Sequence, residues 1–150
     1  MKNYLLILIF ILVSHCGFTA VYKNQENVDF KISIMEMGGD KSVNNLVKSK
    51  LNRFIKKETD NIYKIKINSN FSKTVLSRDA TGKASSLKLS TSIEFVVSHN
   101  DKTQNFSFEE NLNIESLSDS YEQNKYENIV KDNLVTTIVE ELILKLNLFK

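Results

Sequence analysis

The stretch VDFKISIMEMGGD, residues 28–40, decides the fold. Its first half alternates. Val28, Phe30, Ile32 and Ile34 fall on one side and Asp29, Lys31 and Ser33 on the other. A period of two over that length predicts a half-buried strand over residues 28–37. Gly38 and Gly39 then break the pattern, and Asp40 is a residue type that caps helices well. Directly after it, Val43, Leu46, Val47, Leu51, Phe54 and Ile55 recur at steps of three and four. Lys48, Lys50, Asn52, Lys56 and Lys57 occupy the gaps, which predicts an amphipathic helix.

Further along the chain the period returns to two. Tyr63, Ile65, Ile67, Phe71 and Val75 share one face; Lys64, Lys66, Asn68, Asn70, Ser72 and Thr74 share the other. RDATGK, residues 78–83, reads as a turn in which Gly82 supplies a positive φ. Leu87, Leu89, Ile93, Phe95 and Val97 mark the next strand, SHNDK turns the chain again, and Phe106, Phe108, Leu112 and Ile114 mark a fourth. SLSDSYEQ opens the last element, with Ser120 and Gln123 at capping-box spacing. From Tyr126 onward, Ile129, Val130, Leu134, Ile138, Leu142 and Leu146 keep helical spacing, and Val135, Val139 and Ile143 widen the stripe. Asp119 and Glu122 near its start, and Lys145 and Lys150 near its end, suit the helix dipole.

The order strand–helix–strand–strand–strand–helix, with one polar face on every strand, predicts an α+β fold. It is a two-layer α/β sandwich, a four-stranded mixed sheet with two helices on one face. The strand–helix–strand crossover makes the first pair parallel, and the short turns make the rest an antiparallel meander. Leu46, Leu51, Phe54, Ile129, Ile138 and Leu142 are the expected core.

Upstream, Lys2 precedes an unbroken apolar run, YLLILIFILV at residues 4–13, which reads as a secretory signal. The run is too short to span a bilayer, which takes roughly 20 apolar residues. The one cysteine of the chain, Cys16, follows it in LVSHC. An exported chain with a single cysteine cannot close an internal disulfide. A thiol placed just after the apolar run is instead suited to acylation. LVSHC resembles a bacterial lipoprotein cleavage box, with Val13 and Ser14 in its aliphatic and small positions and the bulky His15 where a small residue is usual. The alternative is an ordinary cleaved signal with an incidental free thiol. The reading divides the chain into a signal at 1–15, a lipidated segment at 16–27 and one domain at 28–150.

Charge and composition exclude several functions. The chain has 20 Lys and Arg against 18 Asp and Glu, a balance unlike that of a nucleic-acid binder. Downstream of Cys16 the only histidine is His99, in a predicted turn, so neither a His-paired nucleophile nor a zinc site is readily built. The carboxylate neighbours Glu109/Glu110 and Glu140/Glu141 point apart on a strand or helix. Gly38 and Gly39 lack the spacing of a phosphate loop. No catalytic residue, metal or cofactor is expected, and the chain reads as a non-enzyme.

Three stretches carry a family likeness. CGFTAVY (16–22) resembles the start of the mature lipopolysaccharide-assembly lipoprotein family LptE in its alphaproteobacterial form, with Ala20 where proline is usual. RDATGKASSLKLSTSIEF (78–95) resembles that family's central hairpin, and IVEELILKL (138–146) its carboxy-terminal helix. The resemblance implies an outer-membrane lipoprotein on the periplasmic side, acting as plug and folding partner of the LptD β-barrel and in contact with lipopolysaccharide. It also implies basic contact residues, which map to Arg78, to Lys83 across the same turn and to Lys125 near the start of the last helix. The rival expectation is a periplasm-facing carrier for a small apolar or lipid ligand.

Overall fold

Among the described residues, four strands and two helices form in the order that the alternation predicts: β1 (Lys31–Gly39), α1 (Lys41–Ile55), β2 (Ile62–Arg78), β3 (Ala84–His99), β4 (Lys102–Glu115) and α2 (Ser120–Leu148). The structure is a computed structural model and describes residues 29–148. The signal, Cys16, the 16–27 segment, Val28 and Lys150 lie outside the described residues. The sheet order is β1-β2-β3-β4, with β1 parallel to β2 and the other pairs antiparallel. Both helices pack on the face that carries Ile32, Tyr63, Ile65, Ile67, Ile93, Phe95 and Val97. The α+β two-layer sandwich is the observed fold.

The junction between β1 and α1 is built from four short contacts. Asp40 Oδ1 accepts from the Val43 amide at 2.8 Å, capping α1 as its residue type predicts. The Asp40 amide donates to Ser69 O at 2.9 Å. Asn44 Nδ2 donates to Gly38 O at 3.0 Å, and Ser69 Oγ donates to Asn44 Oδ1 at 2.9 Å. Gly39 sits among them at φ +85, and a Cβ there would lie 1.8 Å from Ser69 O.

β1 departs from simple alternation for a physical reason. Unbroken alternation from Ile34 would turn Glu36 into the core and Met37 out of it. A bulge at Met35 corrects this, so that Glu36 pairs with Lys66 and Met37 with Ile67. Glu36 and Lys66 then meet at 3.1 Å on the outer face, and Met35 is left exposed. The strand begins at Lys31 rather than 28, while Phe30 is buried between Phe54 and Tyr63, with ring centroids 5.7 and 5.0 Å away.

α2 also differs in detail. Its cap is Asp119, not Ser120: Asp119 Oδ1 accepts from the Tyr121 and Glu122 amides at 2.8 and 2.9 Å. Ile129, expected in the core, is 51% exposed, and Val130 takes the inward position. The cause is the length of α2. From about Asp132, which meets Lys50 of α1 at 2.8 Å, the helix touches both sheet and α1 and needs a wide apolar stripe. Its N-terminal half packs Val130 and Leu134 on Leu87, Leu89 and Ile114, with Phe71 and Ala84 beside them, and a narrow stripe suffices. Leu51, Phe54, Ile138 and Leu142 are buried as expected, and Leu46 is half-buried against the same core. On β4 only Ile114 is fully buried; Phe106 and Phe108 are half-buried and Leu112 is exposed.

Two comparisons test this packing. Gly39→Ala forces an L-residue into the left-handed region and drives its Cβ into the Ser69 backbone, so a urea melt should show a loss of more than about 3 kcal/mol. Gly82→Ala, at φ +84 but with open space around it, should lose only about 1 kcal/mol. Leu142→Ala should cost roughly 2–5 kcal/mol, and Ile129→Ala no more than about 0.5 kcal/mol. Equal losses for the two members of either pair would show that the helix or the turn is wrongly placed.

Candidate functional site

β1 stops pairing at Gly39–Ser69, whereas β2 and β3 stay paired as far as Arg78–Ala84. The sheet therefore continues past the start of α1 as a three-stranded arm, in which β4 accompanies β3 as far as Ser86–Glu115, and the tip beyond it is RDATGK. The tip is fixed by local bonds. Asp79 Oδ1 accepts from the Thr81 amide (2.8 Å), the Thr81 hydroxyl (2.7 Å) and the Lys83 amide (3.0 Å). The Asp79 amide donates to Lys83 O at 2.8 Å, and the Gly82 amide to Asp79 O at 3.0 Å. Arg78 Nη1 donates to Gly82 O at 2.8 Å, which orients the guanidinium over its own turn. The bond from the Thr81 hydroxyl, aided by the amides, holds the Asp79 carboxyl below the usual aspartate range.

The arm is tied to α2 by a polar cluster that the sequence reading passed over. Lys73 Nζ lies 3.0 Å from both carboxylate oxygens of Glu127. Gln123 Nε2 donates to Glu127 Oε1 at 2.7 Å, and Gln123 Oε1 accepts from the Leu117 amide at 2.6 Å. Glu127 is 9% exposed and Gln123 equally buried. Nearby, the Lys131 ammonium lies 4.2 Å from the centroid of the Phe71 ring. The signal for this cluster was present. Lys73 falls at an apolar-face position of β2, and Gln123 and Glu127 are four residues apart on one helix face.

The three basic residues singled out by the resemblance do not form one group. Arg78 and Lys83 share the tip. Lys125 stands on α2 in an open groove of about 580 Å³ with Tyr121, Asn124, Asn128, Ile129, Asp132 and Asn133, and no tip residue lines that groove. His99, expected as a solvated turn residue, is instead the half-buried last residue of β3. Its ring stacks on Tyr63 at 4.2 Å, and Nδ1 lies 3.1 Å from Ile62 O. Burial also raises the Tyr63 phenol above its ordinary pKa. Among the described residues, no three His, Cys, Asp or Glu side chains converge as metal ligands would.

With this geometry in hand, the fold can be placed among known ones. No protein-family model matches the chain, and no curated protein matches it in sequence. Solved structures do share the fold. Rare lipoprotein B from Shewanella oneidensis is 16% identical, with a TM-score of 0.56 over 75% of this chain and 92% of that one. A putative lipoprotein from Caulobacter crescentus is 12% identical, with a TM-score of 0.55 over 79% and 88%. A minor lipoprotein from Acinetobacter baumannii is 13% identical, with a TM-score of 0.52 over 79% and 93%. The two-layer sandwich is thus an architecture found in bacterial lipoproteins.

The Asp79 turn has a definite pH signature. Its folded pKa lies below the ordinary value of 3.8, so the order it gives the tip is complete above that value and is lost as pH falls through the lower, folded one. Amide exchange followed by NMR from about pH 6 to about pH 2 should show Thr81 and Lys83 losing protection only in the acid limb. Asp79→Asn should flatten that limb. Loss of protection already near neutral pH would mean that another group holds the tip.

Proposed function

We propose that the chain is an outer-membrane lipoprotein of lipopolysaccharide transport, anchored through Cys16, that serves as plug and assembly partner of an LptD-type β-barrel. The observation that carries this reading is a coincidence. A fold shared with three bacterial lipoproteins follows a leader that ends in a lipoprotein-like box at LVSHC. The outer sheet face fits the role. Lys64, Lys66, Asn68, Asn70, Ser72 and Thr74 are all exposed there, a surface compatible with the wet lumen of a large barrel.

The tip supplies a second element of the proposal. Lipopolysaccharide carries phosphates, and a guanidinium offers them a planar, two-pronged set of donors. Arg78 is oriented by its bond to Gly82 O, and the Asp79 turn fixes the backbone beneath it. Lys83 adds a second cation to the same turn. The rival carrier role calls for a concave, mostly apolar site that encloses its ligand. The groove beside Lys125 lies open to solvent rather than enclosing a space, and its apolar members Tyr121 and Ile129 are 72% and 51% exposed. That openness favours the plug.

Mild-detergent extraction of outer membranes should recover a large β-barrel protein with this chain; consistent recovery without one would overturn the assembly role. Stable anchoring takes two or more acyl chains, so Cys16→Ser should leave the chain uncleaved or move it to the soluble periplasmic fraction. Arg78→Asp should keep the parent's melt, since an exposed charge contributes little to stability, and should weaken lipopolysaccharide binding or barrel recovery. Parental values for both would remove the tip from the functional surface.

A further inference from the structure

The sheet has three stretches of open edge among the described residues, and they are not equivalent. β1 is short and is bulged at Met35. The upper part of β2, beyond Ser69, has no β1 neighbour, but its register with β3 shifts between Val75 and Ser77 and again between Ser77 and Arg78. β4 is different. Its register with β3 runs without a shift from His99–Lys102 to Ser86–Glu115, over 14 residues. Proteins usually blunt such an edge with a bulge, a proline or charged side chains, inward-pointing ones included. β4 has no bulge and no proline, its one lysine, Lys102, stands at its very start, and its central charges are all negative: Glu109 and, opposite Thr91 on the inner face, Glu110.

The turn that opens β4 fixes which backbone groups face outward. Asn100 and Asp101, at φ 45 and 63, form a two-residue hairpin turn of the primed type. In such a turn the flanking pair, His99 and Lys102, exchange both hydrogen bonds, and pairs at every second residue do the same. The N–H and C=O groups of Thr103, Asn105, Ser107, Glu109, Asn111 and Asn113 therefore point away from β3.

Charge selects the occupant. Glu109 and Glu110 lie near the middle of this edge and Glu115 at its end. A second copy pairing antiparallel about a two-fold axis would bring both Glu109–Glu110 pairs close to that axis, where like charges repel. A strand bearing lysine or arginine would meet them favourably. We propose that the β4 edge is a strand-addition site for an extended, basic segment of a partner protein. The proposal is independent of the lipoprotein reading, since it needs neither the anchor nor a barrel.

The test uses the full chain purified in mild detergent and two ten-residue peptides, one alternating threonine with lysine and the other threonine with glutamate. The lysine peptide should bind at least about tenfold tighter than the glutamate peptide. Its binding should slow amide exchange at Thr103, Asn105, Ser107, Glu109 and Asn111 and leave β1 unchanged. Glu109→Lys should remove the preference. Ser107→Pro removes an outward N–H without touching a bond to β3, so it should abolish binding while far-UV circular dichroism stays parental. Equal binding of the two peptides, protection on β1 or upper β2, or protection of β4 by self-association without peptide would each overturn the proposal.

Discussion

The fold depends on how closely two backbones approach at one point. Gly39 turns the chain out of β1 at a positive φ, and the Ser69 backbone of β2 fills the space where a side chain would stand. Only glycine satisfies both demands at once. The approach lets the Asp40 amide reach Ser69 O, so the N-cap of α1 is bonded directly to the strand that α1 must cross to reach. Asn44 and Ser69 close the arrangement from inside, each with its polar atoms bonded and nearly excluded from water. A helix capped by a residue that is itself hydrogen-bonded to the sheet has little freedom to swing. The parallel β1–β2 pair and the seating of α1 over it both follow from that junction.

The same junction limits how far the first layer extends. β1 ends there, and everything on β2 beyond Ser69 has only β3 beside it and α2 above. The core divides accordingly. Below the junction, α1 and α2 together cover a large apolar cluster from Phe30 to Leu146; above it, α2 alone covers Leu87, Leu89 and Ile114. Thr91 lies near the division, fully buried, its hydroxyl without a partner among the described residues. The upper layer is too thin to exclude water from β2 by apolar packing, as the 40% exposure of Val75 shows. Lys73 can stand on the inner face for this reason: its side chain keeps about half its exposure while its ammonium meets the Glu127 carboxylate.

Element order, strand polarity, the Asp40 cap and most of the core were legible in the sequence because each rests on a short-range periodicity. The failures share a different origin. Ile129 lies at correct helical spacing, yet which side of a long helix is covered depends on where α1 ends, and that is a tertiary fact. The β1 bulge follows from a conflict visible in ISIMEM, where strict alternation would bury Glu36; its resolution at Met35 sets Glu36 opposite Lys66 and Met37 opposite Ile67, a pairing with a strand that lies far along the chain. Lys73, Gln123 and Glu127 were each at readable positions, but nothing local joins residues 54 apart in the chain. At the candidate site the turn and Gly82 were legible, and the bond from Arg78 to the Gly82 carbonyl was not. Lys125 was assigned by resemblance alone, and the structure places it in a separate groove.

The arm therefore joins two kinds of order that respond to different perturbations. Its tip is held by bonds that close within RDATGK, so it keeps its shape whether or not the arm is docked. Its base is held by Lys73–Glu127–Gln123, which spans strand and helix and ends on the Leu117 amide just before α2. Replacing such a cluster by apolar side chains of similar volume is often neutral or stabilising, so its presence is weak evidence of a need for stability. What it does supply is register. Two contacts of 3.0 Å from one ammonium to the Glu127 carboxylate join one residue of β2 to one turn of α2 where apolar contacts are few. With apolar packing concentrated in the body below, a charged cluster that joins strand to helix is what distinguishes one docking of α2 on the arm from a neighbouring one.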